Sequence, residues 1–200
     1  MRDLIKRLLN EGLINEKKMT LNDLGDIVLL TKSTLDSDGG EFLFYNYKLE
    51  EPIGYISFGY VPNGDVFMVG GVYSQRGYGP LLYELAMTYV YPNGLTLSQD
   101  GGTSGDAQDV WEKFEMRDDV RKEPINRDGM TEKEEDLING CGGDEDCLED
   151  TKKVIQLHNT KFIFSLDKSY LNKLINVGIE YKNKFDISDD DIEYMFYDLE

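Results

Sequence analysis

Residues 72–82 read Val-Tyr-Ser-Gln-Arg-Gly-Tyr-Gly-Pro-Leu-Leu. Gly77 and Gly79 flank one residue. Pro80 follows where a first helical residue would sit, because its fixed φ suits that position and its missing N–H is not needed there. Leu81, Leu82, Leu85, Ala86 and Tyr89 then recur at helical spacing. A strand that ends in a glycine turn and opens into a helix aims several backbone N–H groups at one point. The helix dipole adds partial positive charge there. The chemistry of such a turn is anion binding, most often of phosphate. It is not the dinucleotide fingerprint, which needs G-x-G-x-x-G, and no Gly-Lys-Ser/Thr follows to make a P-loop.

The elements that position this turn are legible around it. Residues 26–32 read as a first strand, Glu41–Leu49 as a second and Ile53–Val61 as a third. Pro62-Asn63-Gly64-Asp65 is a hairpin turn, since proline presets φ and Asn-Gly accepts positive φ. Asp65–Tyr73 is a fourth strand, and Gly70-Gly71 inside it predicts a bulge or a close backbone approach. A helix over 80–90 ends at Pro92-Asn93-Gly94, and Leu95–Ser98 is a short fifth strand. A second helix runs from about Ser104, its N-cap, to Glu115, with Ala107, Val110, Trp111 and Phe114 on its apolar face. This order predicts an α+β fold with a mixed, mostly antiparallel sheet flanked by helices.

Composition narrows the function classes. The chain has 200 residues, 40% hydrophobic and 30% charged, with a net charge of −18. That length accommodates one domain with a proper core plus an extension. The acidity is local. Residues 131–150 hold nine acids and one lysine, and residues 186–200 hold seven acids and no base. These runs are solvated loops and helix faces or, alternatively, a docking surface for a protein partner with a basic surface. The remainder is close to neutral, which argues against gripping nucleic acid, a task for clustered Lys and Arg. No apolar run reaches a membrane span, and no secretory signal is visible.

Cys141 and Cys147 do not have a zinc-ligand spacing, and the one histidine, His158, cannot complete a metal site. Gly140–Gly143 gives the chain freedom to pair the cysteines; the expectation is nevertheless reduced thiols in a cytoplasmic protein. Asn126, Asp128, Gly129 and Glu135 match EF-hand positions, but Pro124 would fall at position 1 and has no ligating side chain. No metal is expected.

The glycine turn resembles the pyrophosphate-binding motif Q/R-x-x-G-x-G/A of the GNAT-type N-acetyltransferases, aligned as Ser74-Gln75-Arg76-Gly77-Tyr78-Gly79. Ser74 replaces the usual Gln or Arg. The resemblance implies a GNAT-like fold that binds acetyl-coenzyme A and transfers the acyl group to an amine. Gly70, Gly71 and Val72 would meet the pantetheine arm. Gln75, Arg76, Gly77, Tyr78 and Gly79, with Pro80, would cradle the pyrophosphate. The family commonly places a tyrosine proton donor in an A-x-x-x-Tyr run on the later helix. Here Trp111 stands at that position, and an indole N–H only donates a hydrogen bond and cannot act as a proton acid near neutral pH. Tyr73 and Tyr78 are the candidate acids. Asp100, or a bound water, is the candidate base, with Ser98 nearby.

Gly79–Tyr83, Val110-Trp111 and Arg117-x-Asp119-Val120 are also similar to a set of GNAT-like proteins encoded by tailed phages. The Arg117 run reads as a salt-bridged exit from the helix. Residues 2–15 carry Leu4, Ile5, Leu8, Leu9 and Leu13 on one helical stripe. They form either a first core helix or a detachable targeting segment, and Leu9-Asn10-Glu11-Gly12 resembles the sites cut by phage prohead proteases. The expected organisation is 1–15 as an amphipathic helix, 16–125 as the acyl-CoA-binding domain and 126–200 as an acidic, mainly helical C-terminal extension. Its elements are helices at 131–139 and 146–157, a strand at Lys161–Leu166 and a helix at Ser169–Phe185. A last helix, capped by Ser188, would bury Ile192, Met195, Phe196 and Leu199. The competing reading is a non-catalytic module that keeps the fold and binds a virion or host protein through this acidic third.

Overall fold

Apolar residues alternate between two destinations along residues 39–61. Phe42 and Phe44 enter one core with Leu81, Leu82 and Leu85, while Leu43 and Tyr45 enter a second with Ile192. A strand with both faces buried reads as a near-continuous apolar run, as Phe42–Tyr45 does. The computed structural model describes residues 24–32, 38–61, 65–75, 77–97, 104–125 and 132–197. The residues 2–15 helix, the 62–64 part of the hairpin turn, Arg76, Ser98, Asp100, residues 126–130 and Leu199 lie outside them.

The first four strands form an antiparallel meander: β1 (Ile27–Thr31), β2 (Gly39–Asn46), β3 (Glu51–Val61) and β4 (Val66–Ser74). Helix α1 (Gly79–Val90) crosses to β5 (Leu95–Thr96), which runs parallel to β4. Helix α2 (Gly105–Glu115) follows, with the Ser104 side chain accepting from the Ala107 N–H as its N-cap. Then come β6 (Arg121–Pro124), α3 (Glu132–Gly140), α4 (Glu145–His158), β7 (Thr160–Ile163), α5 (Lys168–Phe185) and α6 (Asp189–Tyr197). The sheet order is β1-β2-β3-β4-β5-β7-β6. The fold is therefore mixed α+β on a seven-stranded, mostly antiparallel sheet.

Two sequence expectations need correction, and one strand was not expected. The boundary expected near residue 125 does not divide the sheet. Strand β7, from the stretch read as an extension, lies between β5 and β6, with Phe162 paired to Leu95 and fully buried. Strand β6 was not foreseen, because Arg-Lys-Glu-Pro has no apolar pattern; it pairs with β7, where Glu123 also meets Lys161 at 3.6 Å. The cysteines expected as thiols form a Cys141–Cys147 disulfide. Gly142 and Gly143 take positive φ, and the Asp144 carboxylate caps α4 by accepting from the Cys147 N–H. This turn folds back far enough to leave 5.6 Å between the two Cα atoms, within bonding reach of the sulfurs.

Helix α5 lies along the β1 edge of the sheet. A Cβ on Gly178 would sit 1.9 Å from the Leu29 carbonyl oxygen, so glycine is what allows the approach. The Lys182 ammonium donates to the Thr31 carbonyl at 2.9 Å and pairs with Asp189 at 2.7 Å. A sheet edge with free carbonyls invites further strands, and α5 closes it. In α6 the Ser188 hydroxyl accepts from the Asp191 N–H, while Asp191 accepts from the Ser188 N–H: a reciprocal cap. Ile192 is buried, and Met195 and Phe196 pack beside it. The acids of the second run thus cap a helix and pair with Lys182.

Candidate anion-binding site

The site is built where β4 runs into α1. On β4, Gly71 opposes Ser57 and Val69 opposes Phe58, so Gly70 is the inserted residue of a bulge. The close neighbour there is the Ser57 side chain: a Cβ on Gly70 would lie 3.1 Å from its Oγ. Strand β5 accompanies β4 only at Phe67 and Met68. Past the bulge, no described strand pairs with Val69–Ser74 on the β5 side. Strand β5 ends at Thr96, so the bulged backbone has no described strand beside it on that side.

The chain then turns. The Gln75 N–H donates to the Ile53 carbonyl at 2.8 Å, and the Tyr78 N–H donates to the Gln75 carbonyl at 3.2 Å. Gly77 holds φ +96, a left-handed conformation that costs L residues but not glycine. Tyr78 is the N-cap of α1, and the first helical bond is Leu82 N–H to the Tyr78 carbonyl. The N–H groups of Gly79 and Leu81 precede that bond, and Pro80 has none. The first turn of α1 carries no acidic residue and no side-chain cap, so nothing there offsets the positive end of the helix. Ser74 stands over this turn, since a Cβ on Gly79 would be 3.0 Å from its Oγ. Gly77, Tyr78, Gly79, Pro80 and Gln75 thus converge on one turn, and Gly70, Gly71 and Val72 line the strand leading to it.

The two candidate tyrosines do not converge. Val69 and Val72 both reach the α1 core although they are three residues apart, because the bulge resets the alternation. Tyr73 consequently pairs beside Tyr55 on the opposite, α6 face, where it is 42% exposed. Tyr78 packs its ring against Phe44 on the α1 face, with centroids 6.1 Å apart. The sheet separates the two hydroxyls.

Trp111 is 1% exposed and packs between Tyr83, Phe114 and Phe162. Its indole N–H hydrogen-bonds the Tyr83 hydroxyl, and burial holds that phenol above its ordinary range. Trp111 is therefore a core residue.

The salt-bridged exit expected at Arg117 is present, and its second partner, Glu84, was missed in the sequence. Glu84 is 5% exposed on α1 and pairs with Arg117, which also makes a two-pronged pair with Asp119 at 2.8 and 2.7 Å. The Arg117 guanidinium lies over the rings of Phe114 and Phe164. Its proton is held more tightly than usual, first by Asp119 and then by Glu84, against a penalty from burial. The signal was present in the sequence: a lone carboxylate inside the apolar run Leu81–Met87 needs a buried partner. The network fixes α1, and with it the glycine turn, to the exit of α2.

No protein-family model, curated protein or solved structure matches the chain. Among the described residues there is no group of three or more side chains able to hold a metal ion, and no helix long and apolar enough to cross a membrane.

Proposed function

We propose that this chain is an acyl-coenzyme A-binding protein of the GNAT kind, transferring an acyl group from acetyl-coenzyme A to an amine. One observation carries the reading. A bulged strand, with no described strand beside it past the bulge, leads through a positive-φ glycine into a helix N-terminus without acidic residues. An extended ligand arm ending in a pyrophosphate has this combination of needs. Backbone groups along Gly70–Val72 would hydrogen-bond the arm, and the Gly79 and Leu81 N–H groups would bind the phosphates. Gly79 adds no side chain of its own to the cradle, where the Ser74 hydroxyl stands close. Acetyl-coenzyme A would bring the activated thioester.

The chain's own contribution is binding and orientation, which alone lowers barriers substantially. Tyr78, on the α1 side of the turn, is the better placed tyrosine for a proton at the departing thiolate; Tyr73 points to the other face. The test is an amide-resolved NMR titration with acetyl-coenzyme A, followed by thiol-release assays with a panel of amines. Shifts confined to Gly70–Val72 and Gly77–Leu81 support the reading, and their absence sinks it.

A second reading rests on Trp111. With the family's tyrosine position buried in the core, the fold serves as a non-catalytic module that binds a basic protein partner, in a virion or a host cell, through its acidic third. Coenzyme binding without release of its thiol in the presence of any amine supports this reading.

A further inference from the structure

The hairpin of α3 and α4 carries chemistry that the glycine turn does not use. We propose that the Cys141–Cys147 disulfide is a thiol-exchange site, selective against anionic thiols, that latches helix α3 onto the domain. Two observations carry the latch. Helix α3 packs chiefly on α4, whereas α4 reaches α2 and β7 and buries Leu157 in the main core. The disulfide ties the end of α3 to the first turn of α4.

The two sulfurs are not equivalent. Cys141 is buried, with its Sγ 3.3 Å from the Thr151 hydroxyl oxygen and 3.7 Å from the Leu137 carbonyl. Cys147 is exposed. An incoming thiolate therefore attacks Cys147 Sγ. The new sulfur–sulfur bond forms there, the old bond breaks, and its electron pair leaves on Cys141. That thiolate departs next to the Thr151 hydroxyl, which can donate to it, and takes its proton from solvent. A second thiolate then attacks the mixed disulfide at the reagent's sulfur and releases Cys147. The protein gains two electrons and two protons, and two reagent thiols become one disulfide.

The selectivity comes from what surrounds Cys147. Asp144, Glu145, Asp146, Glu149 and Asp150 are all exposed around the first turns of α4. Among the nearby cations, Lys153 pairs with Glu149 at 3.0 Å and with Asp150 at 3.7 Å, and Lys152 lies beside it in sequence. The field at the attacked sulfur is negative, so a reagent with extra negative charge is repelled within the screening length.

The experiment uses the full chain purified in air. Cationic cysteamine, neutral 2-mercaptoethanol and anionic glutathione are compared, with rates normalised to thiolate and to intrinsic nucleophilicity. At low salt cysteamine should lead, and glutathione should trail 2-mercaptoethanol on the order of tenfold. The spread should collapse in 1 M salt. The Glu145→Gln/Asp146→Asn variant should bring glutathione forward without changing the fold. Hydrogen exchange in α3 should rise at least tenfold on reduction while β2, β3 and α1 stay protected. The Cys141→Ser/Cys147→Ser variant should match the reduced protein. Equal rates at low salt, α3 amides indifferent to reduction, or two free thiols in air-purified protein would each overturn the proposal.

Discussion

Tyr73 and Tyr78 are five residues apart, yet the sheet lies between their side chains: Tyr73 stands beside Tyr55 on the α6 face and Tyr78 against Phe44 on the α1 face. The cause is Gly70. Without the bulge, Phe67, Val69, Gly71 and Tyr73 would share the α1 face; with it, Val72 takes that side and Tyr73 leaves it. Substituting the two tyrosines must therefore have unequal effects. Tyr78→Phe should lower acyl transfer tenfold or more, in keeping with the loss of a positioned proton donor. Tyr73→Phe should leave the rate within about twofold of the parent. Steady-state thiol release distinguishes them, and equal losses would show that the hydroxyls share one role.

Gly77 is the second point of leverage. Its φ of +96 should make Gly77→Ala cost about 1–2 kcal/mol of stability. The effect on coenzyme affinity should be larger than that on folding, because the turn sets the direction of the Gly79 and Leu81 N–H groups. Chemical denaturation and ligand titration on one preparation give both quantities. An unchanged affinity would detach the turn from the ligand.

Gly178→Ala tests the β1 edge. Helix propensity alone favours alanine by about 1 kcal/mol. The Leu29 carbonyl, 1.9 Å from where the new Cβ would fall, opposes it. Overpacking against rigid backbone should win, with a net loss of roughly 2–3 kcal/mol in urea unfolding. A stabilised variant would mean that α5 does not seat on β1 as described.

Arg117→Met leaves the buried Glu84 carboxylate without its guanidinium, and Asp119 without its two-pronged partner. The expected cost is about 3–5 kcal/mol at neutral pH, for removing the guanidinium from a buried carboxylate. Adding Glu84→Gln should recover a good part of that loss, and a double-mutant cycle measures the coupling. Strict additivity would deny the pair.

The α6 cap gives a pH prediction. Hydrogen bonds from Ser188 hold the Asp191 carboxyl below its ordinary range. A depressed carboxylate adds stability above its unfolded value near pH 3.9, and that stability is lost as pH falls through the lower folded value. Protection of the α6 amides should therefore fall below about pH 4 in the parent. Asp191→Asn should lose that dependence. Hydrogen exchange between pH 3 and 6 reads it directly, and an identical slope in both proteins would contradict the cap.

The sequence was most legible where structure is local. The Leu81, Leu82, Leu85 and Ala86 spacing marked α1, Ser104 and Ser188 marked helix starts, and Gly70-Gly71 marked the bulge. What stayed hidden depends on distant partners. Arg121–Pro124 becomes a strand only because Thr160–Ile163 lies beside it. Gly178 looks like a flaw in a helix until Leu29 is placed against it. Cys141 and Cys147 meet because two positive-φ glycines reverse the chain between them. The faces of Tyr73 and Tyr78 follow from which of the two glycines is inserted, and the Gly70-Gly71 pair alone does not say. Asp100 and Arg76, two of the candidate site residues, lie outside the described parts.

The central claim is that the turn from Ser74 to Leu81 binds the pyrophosphate of an acyl-coenzyme A. Titration calorimetry with acetyl-coenzyme A tests it most directly, on the parent and on Gly79→Glu, which puts a carboxylate at the helix N-terminus where the phosphates would sit. The parent should bind saturably, with a dissociation constant below about 1 mM, or more than about 4 kcal/mol of binding free energy. A Gly79→Glu protein that is still folded should show no measurable binding. No binding by the parent at millimolar ligand, or equal binding by both proteins, would contradict the claim.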